Sequence, residues 1–169
     1  MSILTITVLS QVDAEKHPPR RCEAIISITD PGAPPAELHP GWPAILRIEF
    51  GDLEYDRHTI AYWGASWQSV EGVFRAAHAQ DIIRFVERVE SDPDIDHLVI
   101  HCHAGKSRSA AIATWVAARH AIPPALSWSG RNQTVLDVLE EPARYEWAWA
   151  STRPRWWQRI AESLAGFFR

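Results

Sequence analysis

The residues of this 169-residue chain with the clearest chemical potential lie in one segment, 101–109, which reads HCHAGKSRS. The segment holds a thiol at Cys102 and, after five intervening residues, a guanidinium at Arg108. A thiolate is a strong nucleophile when positive charge or hydrogen-bond donors stabilise it, and an arginine fork binds two oxygens of an oxyanion. Gly105 lets the intervening loop curl with its N–H groups inward. The spacing therefore predicts attack of a thiolate on a bound tetrahedral oxyanion.

The segment lies where a buried strand gives way to a helix. Residues 96–101 (DHLVIH) are predicted as a short strand, and residues 109–120 (SAAIATWVAARH) as a helix. The first N–H groups of a helix have no partner within it, and the helix dipole adds positive potential at the same place. We therefore expect an anion site at the helix N-terminus, with the Cys102 thiol at its base.

The pattern His-Cys-x5-Arg-Ser between strand and helix resembles the signature loop of the Cys-dependent protein tyrosine phosphatase superfamily. HCHAGKSRS is most similar to the loops of the compact dual-specificity branch and its small bacterial relatives. The resemblance covers roughly residues 23–140 and is strongest in the loop itself. It implies a phosphomonoesterase that needs no metal or cofactor and that works through a phosphorylated Cys102.

The resemblance also implies a role for each residue of the loop. Cys102 attacks phosphorus, Ser109 hydrogen-bonds the thiolate and helps it leave, and His101 orients the loop from behind. Arg108 and the loop backbone stabilise the phosphate oxygens. The other residues that the resemblance assigns to phosphate binding are His103, Ala104, Gly105, Lys106 and Ser107.

An aspartic acid must protonate the leaving oxygen and later activate water. In the family it lies on a loop after an earlier strand, and here Asp52 follows the predicted strand 44–50 (AILRIEF). Asp56 is the rival. The interval from Asp52 to Cys102 is longer than in the most compact family members because of the aromatic stretch 55–74. We expect this stretch to be a long surface loop with one helical turn, forming a lid beside the pocket.

Two other chemistries fit the residues less well. Consecutive residues at a strand end do not converge easily on one ion, so His101, Cys102 and His103 make a poor metal site. A thiol redox protein would need a Cys-x-x-Cys pair, which is missing from the chain. The second cysteine, Cys22, borders a strand and is interpreted as structural, and its alternative role is as a reversible oxidation partner of Cys102.

The expected substrate is phosphotyrosine in a phosphorylated protein, with phosphoserine and phosphothreonine as further substrates. The first alternative is a phosphoinositide or another lipid phosphate, because the loop also resembles the lysine-bearing loops CKAGKGR and CKAGRSR of lipid phosphatases. Acidic phospholipid or a membrane surface would then contact Lys106 and the Trp- and Arg-rich segment 145–169. That segment otherwise fits a terminal helix that covers the core. The second alternative is a catalytically inactive phosphate-binding module.

Strands and helices alternate along the chain around the loop. Strands are expected at 3–9, 23–29, 44–50 and 96–101. Helices are expected at 76–90, 109–120, from about 124, and at 132–140 with Asn132 as N-cap. This order predicts a single α/β domain over 1–169, with a central, mostly parallel sheet flanked by helices; the resemblance implies a three-layer sandwich.

Composition narrows the class of protein further. Hydrophobic residues make up 46% of the chain and charged residues 22%, an ordinary balance for a globular protein. The net charge of −4 gives no overall basic field, which argues against a nucleic-acid partner. No apolar run reaches about 18 residues, and two cysteines make no disulfide scaffold, so we expect a cytoplasmic protein.

Overall fold

The computed structural model describes residues 3–63 and 69–145, which form a four-stranded sheet packed against helices. The strands are β1 (Thr5–Ser10), β2 (Glu23–Thr29), β3 (Ala44–Glu49) and β4 (His97–Cys102). The helices include α1 (Gln11–Lys16), α2 (Arg57–Trp63), α3 (Ala76–Ser91), α4 (Arg108–Arg119) and α5 (Gln133–Glu140). A short 3₁₀ helix at Leu126–Trp128 follows α4.

The sheet has the order β1-β4-β2-β3, and all of its pairings are parallel. β2 is buried along its whole length, as its apolar run EAIISIT predicts for a central parallel strand. Because the strands are parallel, their carboxyl ends meet at one edge, called here the C-terminal edge. Ser10 lies opposite Cys102 there, and Ser27 lies opposite His101. The loops that follow β2, β3 and β4 therefore converge at this edge.

One face of the sheet carries the main core. Helices α3 and α4 lie against this face, and α5 packs on both of them. Helix α3 presents Ile82, Phe85, Val86 and Val89 to the core at helical spacing. Two aromatic rings, those of Phe50 and Phe74, meet edge to face at 4.6 Å within this core. Each fully buried side chain of this size contributes about 1.5–3 kcal/mol to folding. The main core thus fixes β4 and α4, which flank the Cys102 loop.

The other face is covered more thinly. The loop after β2 places Trp42 and Leu38 against Ile25 and Val99. At the end of α1, the ring of His17 stacks on Trp42 with 5.7 Å between ring centres. The α/β fold expected from the sequence, a parallel central sheet between flanking layers, is therefore confirmed, with one layer made of a short helix and a loop.

Most expected boundaries agree with the structure to within two residues, but three expectations differ. Helix α1 was not expected, and Ser10 caps it by accepting from the Asp13 N–H at 3.1 Å. The helix expected from about residue 124 is wrong: only the 3₁₀ helix forms, and only Trp128 in it is buried. The stretch after β3 holds α2, of seven residues, rather than a loop with one turn.

Two sequence expectations fall outside the described residues in whole or in part. The terminal helix expected at 145–169 does so from residue 146 onward, and the lid stretch does so at 64–68. Within 3–63 and 69–145, no helix combines the length and the apolar character needed to cross a lipid bilayer.

Candidate active site

The Cys102 loop, residues 103–107, joins the last residue of β4 to the first residue of α4. Gly105 has a φ of +68°, in the left-handed region. A Cβ at this position would lie 2.6 Å from the carbonyl carbon and oxygen of Leu9 and 2.7 Å from the backbone nitrogen of Ser10. The loop therefore packs directly on the end of β1, and only glycine fits there.

Cys102 lies buried beneath this loop, with its Sγ 3.1 Å from the Oγ of Ser109. Burial by itself raises the pKa of the Cys102 thiol. The Ser109 hydroxyl and the backbone N–H groups of Ser109, Gly105 and Lys106 act in the opposite direction, and the net pKa is below that of an ordinary cysteine. The loop thus favours the thiolate, which is the nucleophilic form.

Arg108 begins α4 and is only 3% exposed. Its Nη1 donates to the Phe50 carbonyl and to the Asp30 carboxylate, both at 2.7 Å. Its Nε is buried and has no hydrogen-bond partner within the described part of the chain. The guanidinium is therefore fixed on one side by the protein, while another of its donors is left for an oxyanion.

His101 lies on the other side of β4, because successive side chains of a strand point to opposite faces. It is fully buried, and its Nε2 is 2.7 Å from the Oγ of Ser27. Burial lowers the pKa of His101 to about 4, so the ring is neutral at physiological pH. His103, in contrast, is exposed. In the described ranges, no group of three or more His, Cys, Asp or Glu residues is arranged to hold a metal ion.

Asp52 and Asp56 have different surroundings. The Oδ1 of Asp52 accepts from the Ser107 hydroxyl at 2.7 Å and from the Asn132 amide at 2.9 Å, so this carboxylate is tied to the Cys102 loop. Asp56 instead caps α2, accepting from the Thr59 N–H at 2.8 Å and from its hydroxyl at 2.7 Å. These bonds lower the pKa of Asp56. The structure brings Asp52 to the loop and leaves Asp56 at a helix terminus.

Asn132 caps a helix, as expected, and also bonds to residues of two loops at the site. It caps α5, since its Oδ1 accepts from the Val135 N–H at 3.0 Å. Its Nδ2 donates to Asp52 and to the Leu53 carbonyl, and its backbone N–H donates to the Ser107 carbonyl at 3.2 Å. Asn132 is fully buried. The side chain and backbone of this one residue thus join α5, the loop after β3 and the Cys102 loop, which no local sequence pattern indicated.

Asp30 was also missed, because Asp30-Pro31-Gly32 fits a turn that ends β2. The structure places its carboxylate on Arg108 in an ion pair at 2.7 Å, with the Asp30 side chain 56% exposed. A signal was present in the sequence. Asp30 follows one predicted parallel strand as Asp52 follows the next, and residues after neighbouring parallel strands meet at the same edge.

The remaining loop residues form the rim. His103, Ala104 and Lys106 are exposed, and Ser107 is partly buried. Their expected part in phosphate binding stays a prediction.

Cys22 lies far from the loop, at the opposite edge of the sheet, where its carbonyl accepts from the His97 N–H. His97 and Cys102 are the two ends of β4, so about 16 Å of strand separates the two cysteines. Burial and a hydrogen bond with Asp96 raise the pKa of Cys22. The alternative role of Cys22 as a direct oxidation partner of Cys102 is therefore wrong.

No family model matches the chain, and no curated protein and no solved structure is significantly similar to it. The chemistry of the site therefore has to be derived from its own residues and geometry.

Proposed function

We propose that this protein is a Cys-dependent phosphomonoester hydrolase of the protein tyrosine or dual-specificity phosphatase type. The observation that carries the proposal is the geometry around the buried Cys102 thiol at the junction of β4 and α4: its Sγ lies 3.1 Å from the Ser109 hydroxyl, and backbone N–H groups of the loop and of α4 lower its pKa. An inert buried cysteine has a raised pKa instead. The donors that stabilise the Cys102 thiolate, together with the unpartnered Nε of Arg108, suit a site for a phosphate ester.

In the first step, the Cys102 thiolate attacks phosphorus in line with the leaving oxygen. The sulfur–phosphorus bond forms as the bond from phosphorus to the leaving oxygen breaks. Arg108 and the N–H groups of the loop stabilise the charge on the other three oxygens. Asp52 gives its proton to the leaving oxygen, so the product is a neutral alcohol or phenol.

In the second step, water attacks the phosphorylated Cys102. Asp52, now ionised, takes a proton from the water, and the sulfur–phosphorus bond breaks to release inorganic phosphate. Ser109 supports this step because its hydroxyl, 3.1 Å from the sulfur, can donate to the thiolate as it leaves. Asp52 ends protonated and Cys102 ends as a thiolate, which restores the starting state.

The proposed substrate is a phosphorylated protein, with phosphotyrosine as the principal residue, and the proposed location is the cytoplasm. An aryl ester suits this mechanism best because a phenoxide leaves more easily than an alkoxide. Asp30 is not proposed as the acid, because it forms an ion pair with Arg108 and a general acid has to begin its step protonated.

The test is turnover of para-nitrophenyl phosphate and a phosphotyrosyl peptide by wild type, Cys102→Ser and Cys22→Ser. We expect wild type and Cys22→Ser to be active and Cys102→Ser to lose at least about 10⁴-fold, since a serine hydroxyl is not ionised. Acid-quenched wild-type protein should carry phosphate on Cys102. Phosphate binding without turnover would establish the inactive binding module, and equal activity in Cys102→Ser would overturn the mechanism.

A further inference from the structure

A cavity of about 480 Å³ opens beside the Cys102 loop. It lies between α1, the segment 29–37 and the loop residue His103. Among the described residues, three carboxylates line it, those of Glu15, Asp30 and Glu37, and the only basic side chain in its lining is that of His103. The rim on this side of the loop is therefore acidic.

Two of these carboxylates form no ion pair with a basic side chain among the described residues. Glu15 accepts from the Gln11 amide at 2.9 Å and from the Glu37 backbone N–H at 3.3 Å. These neutral donors lower the pKa of Glu15 and cancel none of its charge. The Glu37 side chain is exposed and makes no hydrogen bond or ion pair with the described residues. Only Asp30 is paired, with Arg108.

A second observation, independent of the cavity, indicates where a ligand binds. The buried Nε of Arg108 has no hydrogen-bond partner among the described residues, and an anionic group bound at the loop would satisfy it. Asp30 links the two places, because it bonds Arg108 and also lines the cavity. A phosphate held by Arg108 would thus have its attached organic group next to the acidic cavity.

We infer that this cavity binds a positively charged side chain of the substrate, an arginine or lysine near the phosphorylated residue of a phosphoprotein. The inference rests on the proposed function and specifies its substrate class. An organic cation fits better than a metal ion, because the described residues offer no converging set of metal ligands. Carboxylates spread over a cavity wall instead suit a guanidinium or ammonium group on a flexible side chain.

The same charges disfavour the lipid alternative. A phosphoinositide headgroup carries further phosphates beside the reacting one, and these would face Glu15 and Glu37. Lys106 is exposed on the loop but does not line this cavity, so it does not offset them there.

The experiment compares kcat/KM for three phosphotyrosyl peptides that differ only at the two positions flanking phosphotyrosine, which carry arginine, glutamine or glutamate. We expect wild type to prefer the arginine peptide over the glutamine peptide by about three- to tenfold and to disfavour the glutamate peptide. The double variant Glu15→Gln/Glu37→Gln should lose most of this ranking. High salt should also reduce it, because the charges are partly exposed.

The matched control is Glu87→Gln, on the exposed face of α3, which should keep the wild-type ranking. Equal kcat/KM for the three peptides in wild type would overturn the inference and leave the proposed function standing. An unchanged ranking in the double variant would also overturn it. Faster turnover of a dioctanoyl phosphatidylinositol phosphate than of the arginine peptide would overturn it in favour of a lipid, and no turnover of any substrate would overturn the proposed function itself.

Discussion

The two edges of the sheet both bury charged groups, but they satisfy them differently. At the N-terminal edge, where the strands begin, Glu23 is fully buried among basic groups of the protein. Its Oε2 lies 2.8 Å from the His17 Nε2 and accepts from the Arg20 backbone N–H at 3.0 Å. Its Oε1 has an ion-pair contact with the His97 Nδ1 at 3.1 Å but no hydrogen bond among the described residues. At the C-terminal edge, the buried Nε of Arg108 has no such partner among the described residues.

We interpret the Glu23 group as a structural ion cluster and the Arg108 group as a candidate binding site. The Glu23 carboxylate faces basic side chains of the protein at both oxygens, so no bound cation is needed to balance its charge. A buried donor without a partner lowers the stability of the free protein and is satisfied when an anion binds. Burial and charge alone would rank the two edges equally, and the open Nε of Arg108 beside the Cys102 loop is the reason to propose a binding site at the C-terminal edge.

The largest expected effect is on turnover, where an arginine-to-lysine change should matter at the C-terminal edge and not at the N-terminal edge. Arg108→Lys keeps the positive charge but loses the planar fork and Nε, so turnover of a phosphotyrosyl peptide should fall by about 10³-fold. Arg20→Lys should leave turnover unchanged, because the backbone of Arg20, not its side chain, makes the shorter contact with Glu23. Similar losses in the two variants, measured as kcat/KM, would contradict the distinction between the edges.

The next effect concerns the two aspartates of the loop after β3. Asp52→Asn should lower kcat by about 10²-fold at neutral pH and remove the basic limb of the pH–rate profile. Asp56→Asn should keep both rate and profile, since Asn is also a good N-cap for α2. A basic limb that survives Asp52→Asn would mean that another group is the general acid.

At the opposite edge, the expected effect is on stability. Burial raises the pKa of Glu23, but the hydrogen bonds from His17 and from the Arg20 backbone lower it more, to below its ordinary value of 4.5. Because the folded-state pKa is lowered, this stabilisation is fully present above pH 4.5 and is lost as the pH falls through the folded-state value. Glu23→Gln should lower the free energy of unfolding by about 2 kcal/mol at pH 7.

Urea unfolding at pH 7 and at pH 4 or below tests this prediction. The gap between wild type and Glu23→Gln should shrink at the lower pH, where the wild-type carboxyl becomes protonated. Activity per folded molecule should not change. A gap that stays constant with pH would show that packing, and not charge, stabilises this edge.

The smallest expected effect is on kcat and concerns Asn132, which we interpret as a positioning residue that acts through Asp52. Asn132→Asp keeps the cap of α5 but replaces the amide that holds Asp52 with a second carboxylate. We expect kcat to fall about tenfold and the basic limb of the pH–rate profile to shift upward, because a neighbouring negative charge makes Asp52 harder to deprotonate. Asn132→Ser, another good cap, should lower kcat without that shift, and equal profiles in the two variants would contradict the assignment.

The strands and the Cys102 loop could be predicted from the sequence because their signals are local. The run EAIISIT is apolar throughout, and the loop has a nucleophile, a glycine and an arginine at fixed spacing. Asp52 was found in the same way, by its place after a predicted strand. The structure agrees with these positions and adds the bonds that join Asp52 to Ser107 and Asn132.

The features that were missed depend on contacts between distant parts of the chain. Asp30 and Arg108 are 78 residues apart, and Asp52 and Asn132 are 80 apart. Each of the two missed residues also had a sufficient local explanation, Asp30 as a turn and Asn132 as a helix cap. The second role of each became visible only after parallel pairing had brought the strand ends together.

The pairing of β1 with β4 has a consequence for how the protein forms. β2 and β3 can pair early, whereas β1 joins the sheet only through β4, which ends at residue 102. Such distant parallel pairing is slow because a long segment must be ordered before its contacts repay the lost entropy. During synthesis, β1 therefore cannot pair until β4, and with it most of the chain, has left the ribosome. Since Gly105 packs on the end of β1, the Cys102 loop takes its shape in the same late step, and the proposed phosphatase activity would report the completion of folding.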